Sequence, residues 1–178
     1  MRNAAANIQT IPRGTRNDNV IQLFPKDQPR RIDTLWDTVE PIALRVNTGE
    51  GGKSYRQSLE MFTREQRFAH AVLVYASETY EGGHYQFFFN SSGILWEDAM
   101  QGLREIGASE CAEILSAAAL RAGGYPPANR TERQKMLLQL SPRFADLDAR
   151  FVNTDPLTPL EDYMKANRAA FYFTKAPI

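Results

Sequence analysis

Apolar residues recur along this chain at steps of three and four, the period of one helix face, and glycine, proline and capping residues punctuate the steps. The first such stretch predicts a helix with Asp33 as its N-cap and Leu35, Trp36, Val39, Ile42, Ala43 and Val46 on one side. Pro41 within it predicts a kink or a split. Gly49, Gly51 and Gly52 predict a loop. Thr63-Arg64-Glu65-Gln66 has the form of a capping box, in which the threonine oxygen takes the third amide and the glutamine reaches back. The helix it opens carries Phe68, Ala71, Val72, Tyr75 and Thr79 at helical spacing, and Gly82-Gly83 is predicted to end it.

The run His84 to Phe89 has strand-like residues but no partner strand elsewhere, so a buried irregular segment or short helical turn is expected. Asn90-Ser91-Ser92-Gly93 reads as a turn and helix start, with Gly93 in dihedrals closed to other residues. Trp96, Ala99, Met100, Leu103 and Ile106 then predict a helix stopped at Gly107. Ser109 is expected to cap the next one, which turns Cys111, Ile114, Leu115, Ala118 and Ala122 inward and stops at Gly123-Gly124. A second capping box is predicted at Thr131 to Gln134, before Leu137, Leu138 and Leu140. Ser141-Pro142 and Thr158-Pro159 each read as a cap before a proline, the latter as a third capping box ending in Glu161. Two last helices carry Phe144, Leu147 and Phe151, then Leu160, Tyr163, Met164, Asn167 and Phe171. These segments predict an all-α fold: one compact domain of about seven helices over residues 32–178, with Trp96, Phe88, Leu103, Leu115, Phe144 and Phe171 in its core.

Charge adds a division that the zero net charge of the 178 residues hides. Residues 1–31 hold six basic and two acidic residues, which leaves the remainder at −4. That first stretch is rich in Asn, Gln, Arg and Pro and shows no apolar period, so it is expected to be a disordered basic arm whose one sticky patch is Val20 to Phe24. No apolar run is long enough to span a membrane, and Met1 to Gln9 lacks the apolar core of a secretory signal. The single cysteine, Cys111, argues against a disulfide framework and for a reducing, cytoplasmic setting. With two histidines and one cysteine, neither a metal site nor a cofactor is expected.

No catalytic signature assembles itself from spacing. His84 and Tyr85, with Glu81 as the orienting carboxylate, are the most site-like group and sustain an alternative reading as a small hydrolase or transferase. The competing reading places His84 at the polar edge of an aromatic core. His70 reads as an ordinary helix residue, and Cys111 as a small buried hydrophobe rather than a nucleophile. A third reading has the arm bind nucleic acid through Arg13, Arg16, Lys26, Arg30 and Arg31, but the arm's six scattered cations, with Arg2 included, are a weak footprint and the acidic body would repel phosphate. Acidic residues gather in two places: Glu97, Asp98 and Glu105 on one helix, and Asp146, Asp148, Asp155, Glu161 and Asp162 around the last two. They suit either a solvated, dipole-friendly helix surface or a negative surface that meets a basic partner.

From Gln86 the segment Q-F-F-F-N-S-S-G, followed by W-E-D-A-M-Q-G-L-R-E-I-G-A and C-A-E-I-L-S-A-A-A, resembles the DNA-mimic protein family, an all-helical bacterial group. The resemblance runs from about Asp33 to Phe173 and leaves the arm outside. It implies an all-helical fold and a non-enzymatic protein that inhibits or regulates a partner, either a transcription factor or a nuclease-like toxin, with a homodimer as a further implication. A mimic needs a dense acidic face, since duplex DNA carries one charge per ~1.7 Å. Here Arg104, Arg121, Arg130, Arg133, Arg143 and Arg150 are expected to dilute that face.

Overall fold

The computed structural model describes residues 28–172; the side chains of Gln28 and Pro29 are not among them. Among the described residues there are eight α-helices, two 3-10 helices and no strand. The expected basic arm, except for its last residues, lies outside the described range. The helices are α1 (Gln28–Ala43), α2 (Gly52–Leu59), α3 (Arg64–Phe89), α4 (Trp96–Glu105), α5 (Ser109–Arg121), α6 (Arg130–Leu140), α7 (Ala145–Val152) and α8 (Leu157–Ala166). The 3-10 helices cover Ser91–Leu95 and Arg168–Phe171.

Helix α3 is the axis of the fold. It is buried on more than one face, from Phe68 through Leu73 and again at Tyr75, Ala76, Thr79 and Tyr80, because α1, α4, α6, α7 and α8 all pack against it. Its start is the predicted capping box: Thr63 Oγ1 accepts from the Gln66 amide at 3.3 Å, and Gln66 Oε1 accepts from the Thr63 amide at 2.9 Å. Gly82-Gly83 breaks it rather than ending it. Gly83 adopts φ 73 and ψ −177, and the helix resumes through His84 to Phe89, so the aromatic run is helical. Asp148 of α7 makes the restart possible, accepting from the His84 amide at 2.9 Å, and a Cβ at Gly83 would lie 2.6 Å from its Oδ2.

Several boundaries differ from expectation, each for a local reason. Helix α1 opens five residues before Asp33 and runs through Pro41 unsplit, the proline lying two residues from the end. Helix α2 has only Tyr55 and Leu59 buried, too few apolar positions to show a period. Ala108, not Ser109, precedes α5. Asn129 caps α6, its Oδ1 accepting from the Glu132 amide, so Thr131 lies inside the helix. Ser141 closes α6 in the left-handed region (φ 46) instead of opening α7. Asp155 caps α8 by accepting from the Leu157 and Thr158 amides, which frees Glu161 for another partner. The core contains Phe88, Trp96, Leu103, Leu115 and Phe144 as expected, whereas Phe171 is only half-buried.

Candidate functional site

Folding commits most of the eight acidic residues singled out above to contacts within the chain. On α4, Asp98 accepts the Tyr55 hydroxyl at 2.5 Å, Glu105 pairs with Arg64 at 2.9 Å, and Glu97 stands near the Tyr125 phenol and raises it. Asp146 meets Arg121 through both oxygens, at 2.5 and 2.7 Å, and this contact pulls its carboxyl down to about 2. Asp155 and Glu161 receive Arg31 at 3.2 and 3.1 Å, with the Thr158 hydroxyl completing the guanidinium's set. Asp162 lies 3.6 Å from Lys165. Asp148 is turned toward the interior. Five of the eight are thus neutralised by arginine or lysine within the chain.

Arg31, counted with the arm in the sequence, belongs to α1 and ties that helix to α8. Arg133, expected to dilute the acidic surface, is wholly buried and never reaches it. Its guanidinium donates to the carbonyls of Phe88 (2.6 Å), Asn90 (2.7 Å), Pro127 (2.6 Å) and Ala128 (3.2 Å). Arg130 and Gln134 both take the Phe89 carbonyl. Thus α6 supplies the donors that the last turn of α3 lacks, and a positive charge at its negative pole. Burial, with Arg130 nearby, lowers the Arg133 guanidinium to about 10, still charged at neutral pH. Gly93 is required by this clamp, not by its own dihedrals: a Cβ there would sit 2.6 Å from Arg133 Nε and 2.8 Å from the Phe88 carbonyl oxygen.

The trio behind the enzymatic reading is not assembled. His84 is fully buried, with Nδ1 2.5 Å from Asp148 Oδ1 and Nε2 2.9 Å from the Tyr75 hydroxyl. Burial above all raises the Tyr75 phenol well above its ordinary value, so it stays protonated and donates to Nε2 while Nδ1–H faces the carboxylate. Asp148, 64 residues away in sequence, thus takes the place expected of Glu81, which is exposed. Tyr85 stacks on Phe89 instead of meeting the imidazole. Neither the cavity between α1 and α8 nor the one between α4 and α5 is lined by this histidine. Cys111 donates to Thr154 Oγ1 at 3.1 Å, and burial pushes its thiol up to about 11, away from nucleophilic character. His70 departs from the ordinary role expected of it: it is buried, and burial lowers it to about 4. Among the described residues no group of three or more His, Cys, Asp or Glu is placed to hold a metal, and no helix is long and apolar enough to cross a membrane.

One acidic array was missed. Asp33, Asp37 and Glu40 stand at i, i+4 and i+7 on α1, all exposed and none with a hydrogen bond or ion pair through its side chain among the described residues. They face away from Leu35, Val39 and Ile42, which seal α1 to the core. The spacing was legible, but reading Asp33 as an N-cap removed it from the array. The other exposed carboxylates without partners, such as Glu60, Glu113 and Glu132, stand singly.

The description of DMP19-like proteins matches residues 60–167, well over half of the chain. The chain belongs to the DMP19-like family. This is a family of DNA-mimic proteins, in agreement with the resemblance seen at Gln86 to Gly93 and the helices after it. Comparison with curated proteins and with solved structures gave no match. The DMP19-like region comprises α3 to α8, including the Arg133 clamp and all eight of the acidic residues first singled out; α1 with its carboxylate array lies outside it.

Proposed function

We propose that this DMP19-like chain is a non-catalytic protein-binding module that occupies the basic, DNA-facing surface of a partner, such as a transcription factor or a nuclease-like toxin. Membership in a DNA-mimic family carries the class of function. The charge pattern supports a refinement of where binding occurs. Since Asp146, Asp155, Glu161, Asp162 and Glu105 already face cations, the one run of unpaired acids left among the described residues is the α1 array, while Glu60, Glu97, Glu113 and Glu132 stand singly elsewhere. Helical rise sets Asp33, Asp37 and Glu40 over ~10 Å, or one charge per roughly 5 Å. One strand of a duplex presents one per ~3.4 Å. The array imitates the edge of a single strand better than a whole duplex.

The test begins with immobilised full-length chain and lysate of its source cell, at low and at physiological salt. A recovered protein should bind duplex DNA, and added DNA should displace it from the chain. The triple reversal Asp33→Lys, Asp37→Lys, Glu40→Lys should slow association with that protein about tenfold or more and flatten its salt dependence, with little change in melting. Recovery of no partner, or of one that DNA leaves in place, overturns the proposal.

A further inference from the structure

On the other flank of α1 the surface has the opposite character. Between α1, α8 and the 3-10 helix Arg168–Phe171 lies a groove of about 600 Å³, within the range of sites that hold ligands. Its floor is apolar: Leu35 and Met164 are buried there, Phe171 is half-buried, and Tyr172 stands 73% exposed at its edge. Its polar rim is cationic. Of the basic residues on that rim, Arg31 is committed to Asp155, Glu161 and Thr158, and Lys165 to Glu161 and Asp162. Arg30 and Arg168 remain. Both are exposed, and the guanidinium of each is without a hydrogen bond or ion pair among the described residues. Glu161 is the one carboxylate of the groove lining, and Arg31 and Lys165 already face it.

We propose that this groove binds a short acidic peptide segment of a partner protein, in which one or two large apolar side chains are flanked by aspartate or glutamate. The apolar side chains would cover Leu35, Met164 and Phe171. The flanking carboxylates would take Arg30 and Arg168, whose planar forks match a carboxylate through two parallel bonds. The two free cations favour a peptide over a single-headed amphiphile. Arg30 lies in the first turn of α1 and Arg168 in the 3-10 helix beyond α8. Together they ask for two anions, which acids on either side of an apolar side chain supply. This surface adjoins the α1 carboxylate array, Arg30 preceding Asp33 by one turn, but Arg168 and the apolar floor lie on other elements, so the two proposals can fail separately.

The test uses the full chain and fluorescein-labelled decapeptides read by anisotropy: one with Leu-Phe-Leu between glutamate pairs, one with lysine for every glutamate, and one with alanine for Leu-Phe-Leu. The acidic apolar peptide should bind at least tenfold more tightly than either counterpart. Arg30→Glu with Arg168→Glu, both at exposed positions, should remove that preference without moving the melting temperature. The triple reversal at Asp33, Asp37 and Glu40 should leave the order of the three peptides unchanged. Equal binding of the acidic and basic peptides, or indifference to the Arg30/Arg168 pair, overturns the proposal. Binding of dodecanoate with no binding of any peptide would assign the groove to an amphiphile and overturn it too. So would peptide binding that emerges only after Leu23→Asp and Phe24→Asp, since the occupant would then be the chain's own residues.

Discussion

His70 sits in the second turn of α3 with its Nδ1 buried and without a hydrogen-bond partner among the described residues, and a proton there would place a charge in the core. The folded protein therefore takes up that proton only near pH 4, whereas the unfolded chain takes it up near pH 6.5. Between those values the unfolded state binds more protons, so stability is full above pH 6.5 and falls as the pH is lowered toward 4. The expected loss from this residue between pH 7 and pH 5 is about 2 kcal/mol. Urea unfolding of the wild type and His70→Leu at both pH values checks this. The variant should lose most of that difference, and an equal pH dependence in both would place the sensitivity elsewhere. At the same scale, Arg133 shows how a residue's type can mislead. Arginine between Glu132 and Gln134 reads as surface, and the carbonyls that hold it inside include those of Phe88 and Asn90, 45 and 43 residues back.

Helix bodies were legible because burial imposes one apolar face on each of α1, α4 and α7 against α3, and on α5 against α4 and α7; helix ends were legible only where the cap is unique. Thr63 and Gln66 satisfy each other and nothing upstream competes. At Thr131 and Thr158 the same pattern occurs, but Asn129 and Asp155 lie just before and are the better acceptors, so each helix starts earlier. Gly82-Gly83 looked like a stop because glycine pairs often are stops; Asp148, from a distant helix, turns this one into a restart. Gly83→Ala should therefore be costly. Its backbone conformation alone is worth ~1–3 kcal/mol against a side chain, before the clash with Asp148 is counted. Gly107→Ala, also at positive φ (81) but with open space around its Cβ, is the control and should lose less. Denaturant midpoints of the two variants decide this, and equal losses would show that the Asp148 contact contributes nothing.

For the molecule as a whole, the all-helical architecture was readable from periodicity, while the pairing of its charges was not, since charge partners are set by tertiary contact. Arg31 finds Asp155 and Glu161 across 124 and 130 residues, and Arg64 finds Glu105 across 41. No window of sequence contains both members of such pairs, so acids that are neutralised in the fold counted as free. The Arg31 tie also holds α1, which bears both the carboxylate array and one wall of the groove, to the rest of the protein. Arg31→Ala should speed amide exchange within α1 about five- to tenfold, in keeping with loss of a partly screened charge-assisted contact, and leave the centre of α3 unchanged. Uniform acceleration in both helices would mean that α1 does not open as a unit.

The clamp that α6 places on α3 has a consequence for how the chain comes off the ribosome. The carbonyls of Phe88 and Asn90 are made first, and the guanidinium that satisfies them follows 43 to 45 residues later. At about 5–20 residues per second, the end of the central helix waits roughly 2–9 s for its plug. During that interval Phe87, Phe88 and Trp96 have no finished core to enter. A nascent chain stalled before residue 133 should thus be a ready client for chaperones, and one stalled after the whole of α6 has emerged a much poorer one.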